Sequence, residues 1–458
     1  MKQRLQLKPK NKVRVSTKIR LAYVSAAFAV VVASAFLIYY NLGTSDESIA
    51  GEQTGLPGFS HRNKILFPKD LIRGKDTLFN FPVLISIKND DFKHISSGGR
   101  VTNKNGFDFR ITKNDGISLL PSQIDSYHPE SGLLNIWVLA DTLSPEKSDD
   151  FLVYYGNPTI QSELPPMVWS NHYEAVWHFN GDARAANTRK ISTSQSGIIK
   201  VKGKFADAFE FDAQRKDYIS VNYLKNIDLT GDFTISAWIL PKENNRKQII
   251  LSNQGDSQSG YTLFIDEKNK LNAGFYNSSG RFISMNKDGG EQLEKERWYH
   301  VCAVFSKSEQ TLTTYIDGIA DEVITTIDAP ASSASALQIG RLQFDNDSYF
   351  SGIIDELTIS SVARSQNWLA TAFYNESLGG QLFTVGQTES MSLSAENISA
   401  NKKAFKETSD AKMKSTETEN MISKQKPVNN ANPIAASASR EVLQAKLQNI
   451  KRVSLENN

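Results

Sequence analysis

Paired carboxylates on one strand are the first chemistry to look for in this chain. Glu210 and Asp212 stand two residues apart in Glu210-Phe211-Asp212-Ala213-Gln214-Arg215, and side chains two apart share one face of a strand. Retaining hydrolysis of a glycosidic bond needs two carboxyl groups about 5–5.5 Å apart. Acids spaced two and three residues along a strand, as E-x-D-x-x-E, supply such a pair. Here the last acid is replaced by Arg215, so the set is incomplete. Asp108 and Arg110 are also two apart, and a buried structural ion pair is the expected use. Asp355-Glu356 reads as a hydrogen-bonding pair of the scaffold. The single cysteine, Cys302, lies in the apolar run Trp298-Tyr299-His300-Val301-Cys302-Ala303-Val304-Phe305 and reads as a small buried hydrophobe; alone, it forms no intramolecular disulfide. His61, His94, His128, His172, His178 and His300 are scattered, without partners at ligand spacing. No P-loop, G-x-S-x-G or H-E-x-x-H motif is present. No catalytic residue is assigned, and the chain is expected not to be an enzyme.

The elements that would carry such residues are short and β-rich. The chain has 458 residues, room for two or three domains, with 40% hydrophobic and 22% charged residues. From 58 to 388, runs of β-formers alternate with Gly, Asn, Asp and Pro, and no long stretch of helical period interrupts them. In the first part, strands are expected at Phe81–Ile87, Gly106–Ile111, Leu133–Leu139 and Phe151–Tyr155. In the second, Asp232–Pro241 places Phe233, Ile235, Ala237 and Ile239 on one face. Tyr261–Ile265 and Lys270–Tyr276 form a hairpin, and Asp317-Gly318 is a two-residue turn needing positive φ at both positions. Regular strands with such turns make a double-sheet jelly roll. The fold expected is all-β: a β-sandwich over 58–160, then a jelly-roll sandwich over 165–388. Residues 389–458 are rich in Ser, Lys, Asn, Glu and Thr and read as a disordered tail, with a short amphipathic helix over 440–453.

The charge is uneven although the formal net charge is only +2. Eight basic residues fall within the first 20, and the first acid is Asp46. Leu21 to Tyr40 is an uncharged run of 20 residues, long enough to cross a bilayer of ~30 Å as a helix. With the basic arm (1–20) on one side only, the positive-inside rule leaves the N-terminus cytoplasmic and sends everything after the 41–57 linker outside. The expectation is a single-pass membrane protein, its bulk periplasmic or at the cell surface, with the lipid bilayer as its first partner. Ser48-Ile49-Ala50 before Gly51 has the small-x-small form of a signal cleavage site, so release near Ala50 stays open.

Two resemblances follow from quoted segments. FPVLISI (81–87), GFDFRIT (106–112), LLPSQIDSY (119–127), LNIWVL (134–139) and YYGNP (154–158) resemble a domain of unknown function from bacterial, Bacteroidota-like, surface proteins. That domain commonly precedes laminin-G-like jelly rolls. Its usual acid is replaced here by Gln123, although Asp125 remains. AVWHFNGD (175–182), GKFADAFEFDAQRKDYISV (203–221), IDLTGDFTISAWILP (227–241), ERWYHVCAVF (296–305), TTYIDG (313–318), LQIGR (337–341) and FSGIIDELTIS (350–360) resemble the laminin-G-like, concanavalin A-like lectin/glucanase jelly roll. WLATAFYNESLGGQLFTVGQ (368–387) looks like the closing strand of proteins that combine these same two domains. Ala186-Asn187-Thr188 stands where that family often carries an Asp-Ser pair.

The second resemblance implies ligand chemistry. Relatives, pentraxins among them, hold calcium on loops of one sheet face, and calcium takes six to eight hard oxygens. Asp256 in the 252–257 segment, with Gln343, Asp345, Asn346 and Asp347, is the partial set expected here. Trp169, Trp177, Trp238, Trp298 and Trp368 lie within strand or terminal motifs and are expected in the core. Tyr276, Phe282, Phe344 and Tyr349 are the expected exposed aromatics for ligand contact. Carbohydrate binding or adhesion at the cell envelope is the leading expectation. An assembly scaffold making protein contacts is the alternative, and a glycoside hydrolase a third. No nucleic-acid partner is expected.

Overall fold

The computed structural model describes residues 55–391 apart from 69, 147–149, 166, 188–192, 223–224, 256–257, 286–288 and 379–381. The basic arm, Leu21–Tyr40, Ala50, the tail beyond 391 and the 440–453 segment lie outside the described residues. Among those described, no helix is long and apolar enough to cross a membrane. Among the described residues, the chain from Gly55 forms one compact unit.

Six strands open this unit: β1 (His61–Leu66), β2 (Leu78–Lys88), β3 (Arg110–Lys113), β4 (Ser122–His128), β5 (Leu133–Leu143) and β6 (Phe151–Tyr155). Fifteen follow: β7 (Tyr173–Trp177), β8 (Thr193–Ser196), β9 (Ile199–Lys202), β10 (Asp207–Phe211), β11 (Tyr218–Val221), β12 (Phe233–Pro241), β13 (Gln248–Ser252), β14 (Tyr261–Ile265), β15 (Leu271–Tyr276), β16 (Phe282–Ser284), β17 (Tyr299–Ser306), β18 (Thr311–Ile316), β19 (Ile319–Thr325), β20 (Leu337–Ile339) and β21 (Gly352–Ser360). Helix α1 (Gln366–Leu378) and β22 (Thr384–Ser390) close it.

The first sandwich stacks a four-stranded sheet, β22-β1-β6-β3, on a three-stranded one, β2-β5-β4. The jelly roll pairs a seven-stranded sheet, β16-β15-β14-β13-β20-β11-β8, with an eight-stranded one, β19-β18-β17-β12-β21-β10-β9, where β7 adds to β21. Strand β22 corrects the expected division of the chain. It does not close the jelly roll but lies antiparallel to β1, with His61 opposite Ser390. The jelly roll is thus an insertion between β6 and the last two elements of the first sandwich.

Alternation explains the layering. Phe233, Ile235, Ala237 and Ile239 of β12 enter the jelly-roll core, as their spacing predicts, together with Tyr299, Val301, Ala303 and Phe305 of β17. The intervening Cys302 and Val304 join the core of the first sandwich instead, beside Trp368 and Leu369 of α1. Strand β17 therefore has apolar residues on both faces because both are covered. Cys302 is fully buried, as expected. The Asp317-Gly318 turn has positive φ at both residues. A side chain on Gly318 would meet the Ala370 backbone of α1 within 2.7 Å, so the turn packs directly under the helix.

Two local expectations fail. Residues 366–378 are helical: Trp368, Leu369, Thr371 and Asn375 recur at helical spacing on one buried face. Residues Gly106–Phe109 form a turn rather than a strand, and β3 begins only at Arg110. The Asp108–Arg110 pair does not form either. The buried Asp108 carboxylate accepts from the backbone N–H groups of Thr102, Asn103 and Gly156 and from the Thr102 hydroxyl. Arg110 donates to the carbonyls of Phe107 and Phe109.

Edge strand β2 is completed by a side chain. The Asn375 amide accepts from Leu84 N–H and donates to Leu84 C=O, each at 2.8 Å, and all these groups are buried. A helix residue thus does the work of a neighbouring strand. Asn375→Leu, of similar volume, leaves both backbone groups buried and unbonded, each costing about 1–3 kcal/mol. A loss of roughly 2–4 kcal/mol in denaturant-measured stability is expected; a change below about 0.5 kcal/mol would refute this account.

Candidate functional site

Two β-bulges bring the most unusual group of side chains together. On β4, the register shifts between Ile124 and Ser126, so Asp125 is the extra residue. On β21, Asp355 lies opposite Trp238 and Thr358 opposite Ser236, so Glu356 and Leu357 share one partner position. Ile354 and Leu357 both enter the jelly-roll core. The two residues between them, Asp355 and Glu356, therefore both project to the outer face. Glu356 adopts positive φ (47°) to make the bulge. Strand β7 pairs Trp177 with Leu357, and one step further along that ladder sets His178 beside Glu356. Phe179, next in sequence, also has positive φ (55°), unusual for a bulky residue.

His178 Nδ1 shares a hydrogen bond with Glu356 Oε2 at 2.7 Å and lies 3.6 Å from Asp125 Oδ1. The three ligand-capable atoms lie within 4.8 Å of one another. The side chain of Asp125 is fully buried and that of His178 nearly so. Asn180 donates to Asp125 Oδ1 at 2.8 Å, and Trp137 and Trp169 lie against the imidazole. Asp125 Oδ2, His178 Nε2 and Trp137 Nε1 are buried without a hydrogen-bond partner, and the nearby Trp137 indole N–H favours the charged Asp125 carboxylate. Asp125 and His178 line an open cleft, together with Gln123, Glu163, Asp182 and Arg184. The expectation that every histidine is ordinary is therefore corrected at His178. No spacing rule reveals it, because the trio is assembled from three distant segments through two register shifts.

The residues singled out in the sequence fall elsewhere. Glu210 is paired with Lys242 at 2.9 Å and Asp212 with Arg215 at 3.1 Å, so both carboxylates of the incomplete motif are held by cations. Asp256 lies outside the described residues. Asp345 accepts from Asp347 N–H and from the Ser348 hydroxyl, so its oxygens close their own loop. Gln343, Asn346 and Asp347 are exposed around it. Among the described residues of the set, Asp345 is the half-buried acid, and those bonds turn it toward its own loop. Tyr349 is buried, which corrects its assignment as an exposed aromatic: its chain segment docks beneath Arg246, whose guanidinium donates to Tyr349 C=O. Phe344 is exposed. Trp169, Trp177, Trp238 and Trp368 are core residues, and Trp298 is half-buried.

Tyr276 and Phe282 lie together, ring centroids 5.0 Å apart, on the edge pair β15–β16. Their sheet is the one turned away from the first sandwich, and Ser252, Thr262 and Gln338 on its outer side are buried. Register places Ser284, Gly274, Thr262, Ser252, Gln338, Ser220 and Ser194 in one row across all seven strands of this face. Nearby, Asn272 Oδ1 and Gln254 Nε2 are buried without a partner.

This architecture agrees with the family comparison. Residues 212–370 match the Concanavalin A-like lectin/glucanases superfamily. No curated protein matches the chain. Among solved structures, the chain is similar to the binding domain of Paraclostridial Mosquitocidal Protein 1 (15% identity, TM-score 0.38, covering 44% of this chain and 52% of that one). It is also similar to domain 4 of AbnA, a GH43 extracellular arabinanase from Geobacillus stearothermophilus, solved with arabinotriose (17%, 0.36, 43% and 96%). A third is the binding domain of botulinum neurotoxin DC, solved with rat synaptotagmin II (12%, 0.36, 45% and 52%). The chain spans about half the length of the toxin domains it matches.

Burial sets the electrostatics where the concanavalin-like domain meets the first sandwich. It pushes the carboxyls of Asp355 and Glu356 well above the ordinary range, helped by their acidic neighbours, and raises Asp125 as well. It lowers His178, and brings His300 down to about 3. Glu376 of α1 rises to about 7 through burial, against the opposing pull of the Trp238 indole N–H, which donates to it at 2.6 Å. A raised acid keeps its proton in the fold after the unfolded chain has released it, so its stabilisation is present at low pH and is lost as pH climbs from about 4.5 to 7. A lowered histidine acts oppositely, losing stability as pH falls below 6.5. The Glu376 shift corresponds to at most about 3 kcal/mol, and the partial exposure of the residue reduces this to roughly 1–2 kcal/mol. Glu376→Gln is therefore expected to melt with the wild type at pH 4.5 but about 2–8 °C above it at pH 8. A melting difference that does not change with pH would contradict this assignment.

Proposed function

We propose that the protein is a membrane-anchored, extracytoplasmic binding protein that recognises carbohydrate on the free face of its concanavalin-like domain. One observation carries the ligand assignment: a row of small hydroxyl and amide side chains runs from Ser284 to Ser194 on the sheet turned away from the first sandwich, buried at Thr262, Ser252 and Gln338 and reachable at Ser284, Ser220 and Ser194, and it ends beside Tyr276 and Phe282. Sugars offer hydroxyls to such side chains and an apolar ring face to aromatics. The unpartnered Asn272 Oδ1 and Gln254 Nε2 add bonding capacity that a polyhydroxyl ligand would use. Binding proceeds without turnover in this reading, since Glu210 and Asp212 are each engaged by a cation. The anchor is Leu21–Tyr40, with the basic arm inside; calcium enters as an accessory ion at the 343–347 loop.

The scaffold reading has its own support. Ile319 and Val323 of edge strand β19, and Ile327 just after it, are exposed. An exposed apolar edge strand is a site for strand addition by another protein.

A glycan array probed with the full chain, with and without calcium, separates the two. Glycan signal is expected, weakened roughly tenfold (about 1.4 kcal/mol) by Tyr276→Ala or Phe282→Ala. Silence on the array, or binding indifferent to both substitutions, would discard the carbohydrate assignment.

A further inference from the structure

The junction trio is chemically unfinished. Two carboxylates, Asp125 from the first sandwich and Glu356 from the jelly roll, face one imidazole, with Asp355 adjacent. The arginine lining the cleft above, Arg184, is occupied by Asp182 at 2.5 Å. His178 contributes at most one positive charge. Asp125 keeps Oδ2 unpartnered inside the protein, on a side chain with no solvent exposure. A buried acceptor in that state is costly, and a bound cation relieves the cost.

The spacing suits a small divalent ion. Zinc bonds of about 2.0–2.2 Å in tetrahedral geometry separate ligand atoms by roughly 3.3–3.6 Å. His178 Nδ1 stands 3.6 Å from Asp125 Oδ1 and 2.7 Å from Glu356 Oε2. Small side-chain rotations that lengthen the second distance would open room for the ion in place of the shared proton. The donor set is selective. One imidazole with two carboxylates suits zinc or manganese, whereas calcium prefers oxygen alone and needs six to eight ligands. The open cleft lined by Asp125 and His178 gives an entry path and water for the remaining position.

We infer that Asp125, His178 and Glu356 form a binding site for a divalent transition-metal ion of the zinc or manganese class. His178 Nδ1 and one oxygen from each carboxylate are the protein ligands, and cleft water completes the shell. The site is separate from the carbohydrate face and does not rest on it. Because its ligands come from both sandwiches, the ion fastens one to the other.

The test uses the full chain stripped of metal with a chelator. Calorimetric titration with zinc chloride and manganese chloride is expected to show a single saturable ion per chain, with calcium chloride far weaker. The melting temperature should rise by several degrees with the ion and fall back with chelator. Asp125→Asn and His178→Gln should each weaken the ion at least roughly tenfold while melting near the wild type in chelator. Because a junction variant can fail to fold, cobalt(II) is also titrated into the wild-type chain. A saturable visible absorption band is expected, displaced by zinc. No saturable binding to the wild type, no cobalt band, or unchanged affinity in folded Asp125→Asn and His178→Gln would overturn the assignment.

Discussion

Everything in this molecule depends on one sheet being buried on both sides. Strand β17 alternates residues that are apolar in both phases: Tyr299, Val301, Ala303 and Phe305 fill the jelly-roll core, while Cys302 and Val304 fill the core next door. A sheet of that composition loses its stability if either face meets water, so the first sandwich and α1 are part of the jelly roll's folding unit. The constraint also assigns roles to surfaces. With the eight-stranded sheet covered, the seven-stranded sheet is the one turned away from the first sandwich, and the covered side becomes a place where polar groups can be trapped.

The polar groups trapped there give the junction its chemistry. Apolar layers would have packed more cheaply than layers containing Asp125, Asp355, Glu356 and Glu376, because burying an acid strips its hydration. The fold holds them through specific bonds: Asp355 accepts from Lys204 and Glu356 N–H, Glu376 from the Trp238 indole, Glu356 bonds His178, and Asp125 is bonded by Asn180. Bulges at Asp125 and Glu356, with positive φ at Glu356 and Phe179, concentrate backbone irregularity from two strands at this site. Such strain is retained where side-chain aim matters more than ladder continuity.

Much of the fold could be read from residue order alone, and the misses share a cause. Period-two alternation fixed β12, β17 and the Tyr261–Tyr276 hairpin, and the Asp-Gly dipeptide fixed the turn after β18. The helix at 366–378 escaped because its buried face mixes Trp368 and Leu369 with Thr371 and Asn375, so apolar periodicity is weak. Asn375 is buried for its two backbone bonds, a reason no hydropathy pattern carries. The Asp125–His178–Glu356 trio escaped for a geometric reason: both acids are the odd residue of a bulge, and a rule that counts by two cannot say where an odd residue points. The aromatics at Tyr276 and Phe282 were legible because edge strands leave large side chains half in solvent, whereas Tyr349 was hidden by the docking of its loop.

The pairing of β1 with β22 carries a mechanical consequence. His61 lies opposite Ser390, and Met391 N–H bonds Ser60 C=O at 2.8 Å, so the chain enters and leaves the folded unit at the same end of one antiparallel ladder. Tension applied across those two exits loads the hydrogen bonds one after another, like the teeth of a zip, rather than all together in shear. The jelly roll lies outside that line of force. A tug between the two exits would peel β1 from β22 and leave the inserted sandwich unstretched until the first one had opened.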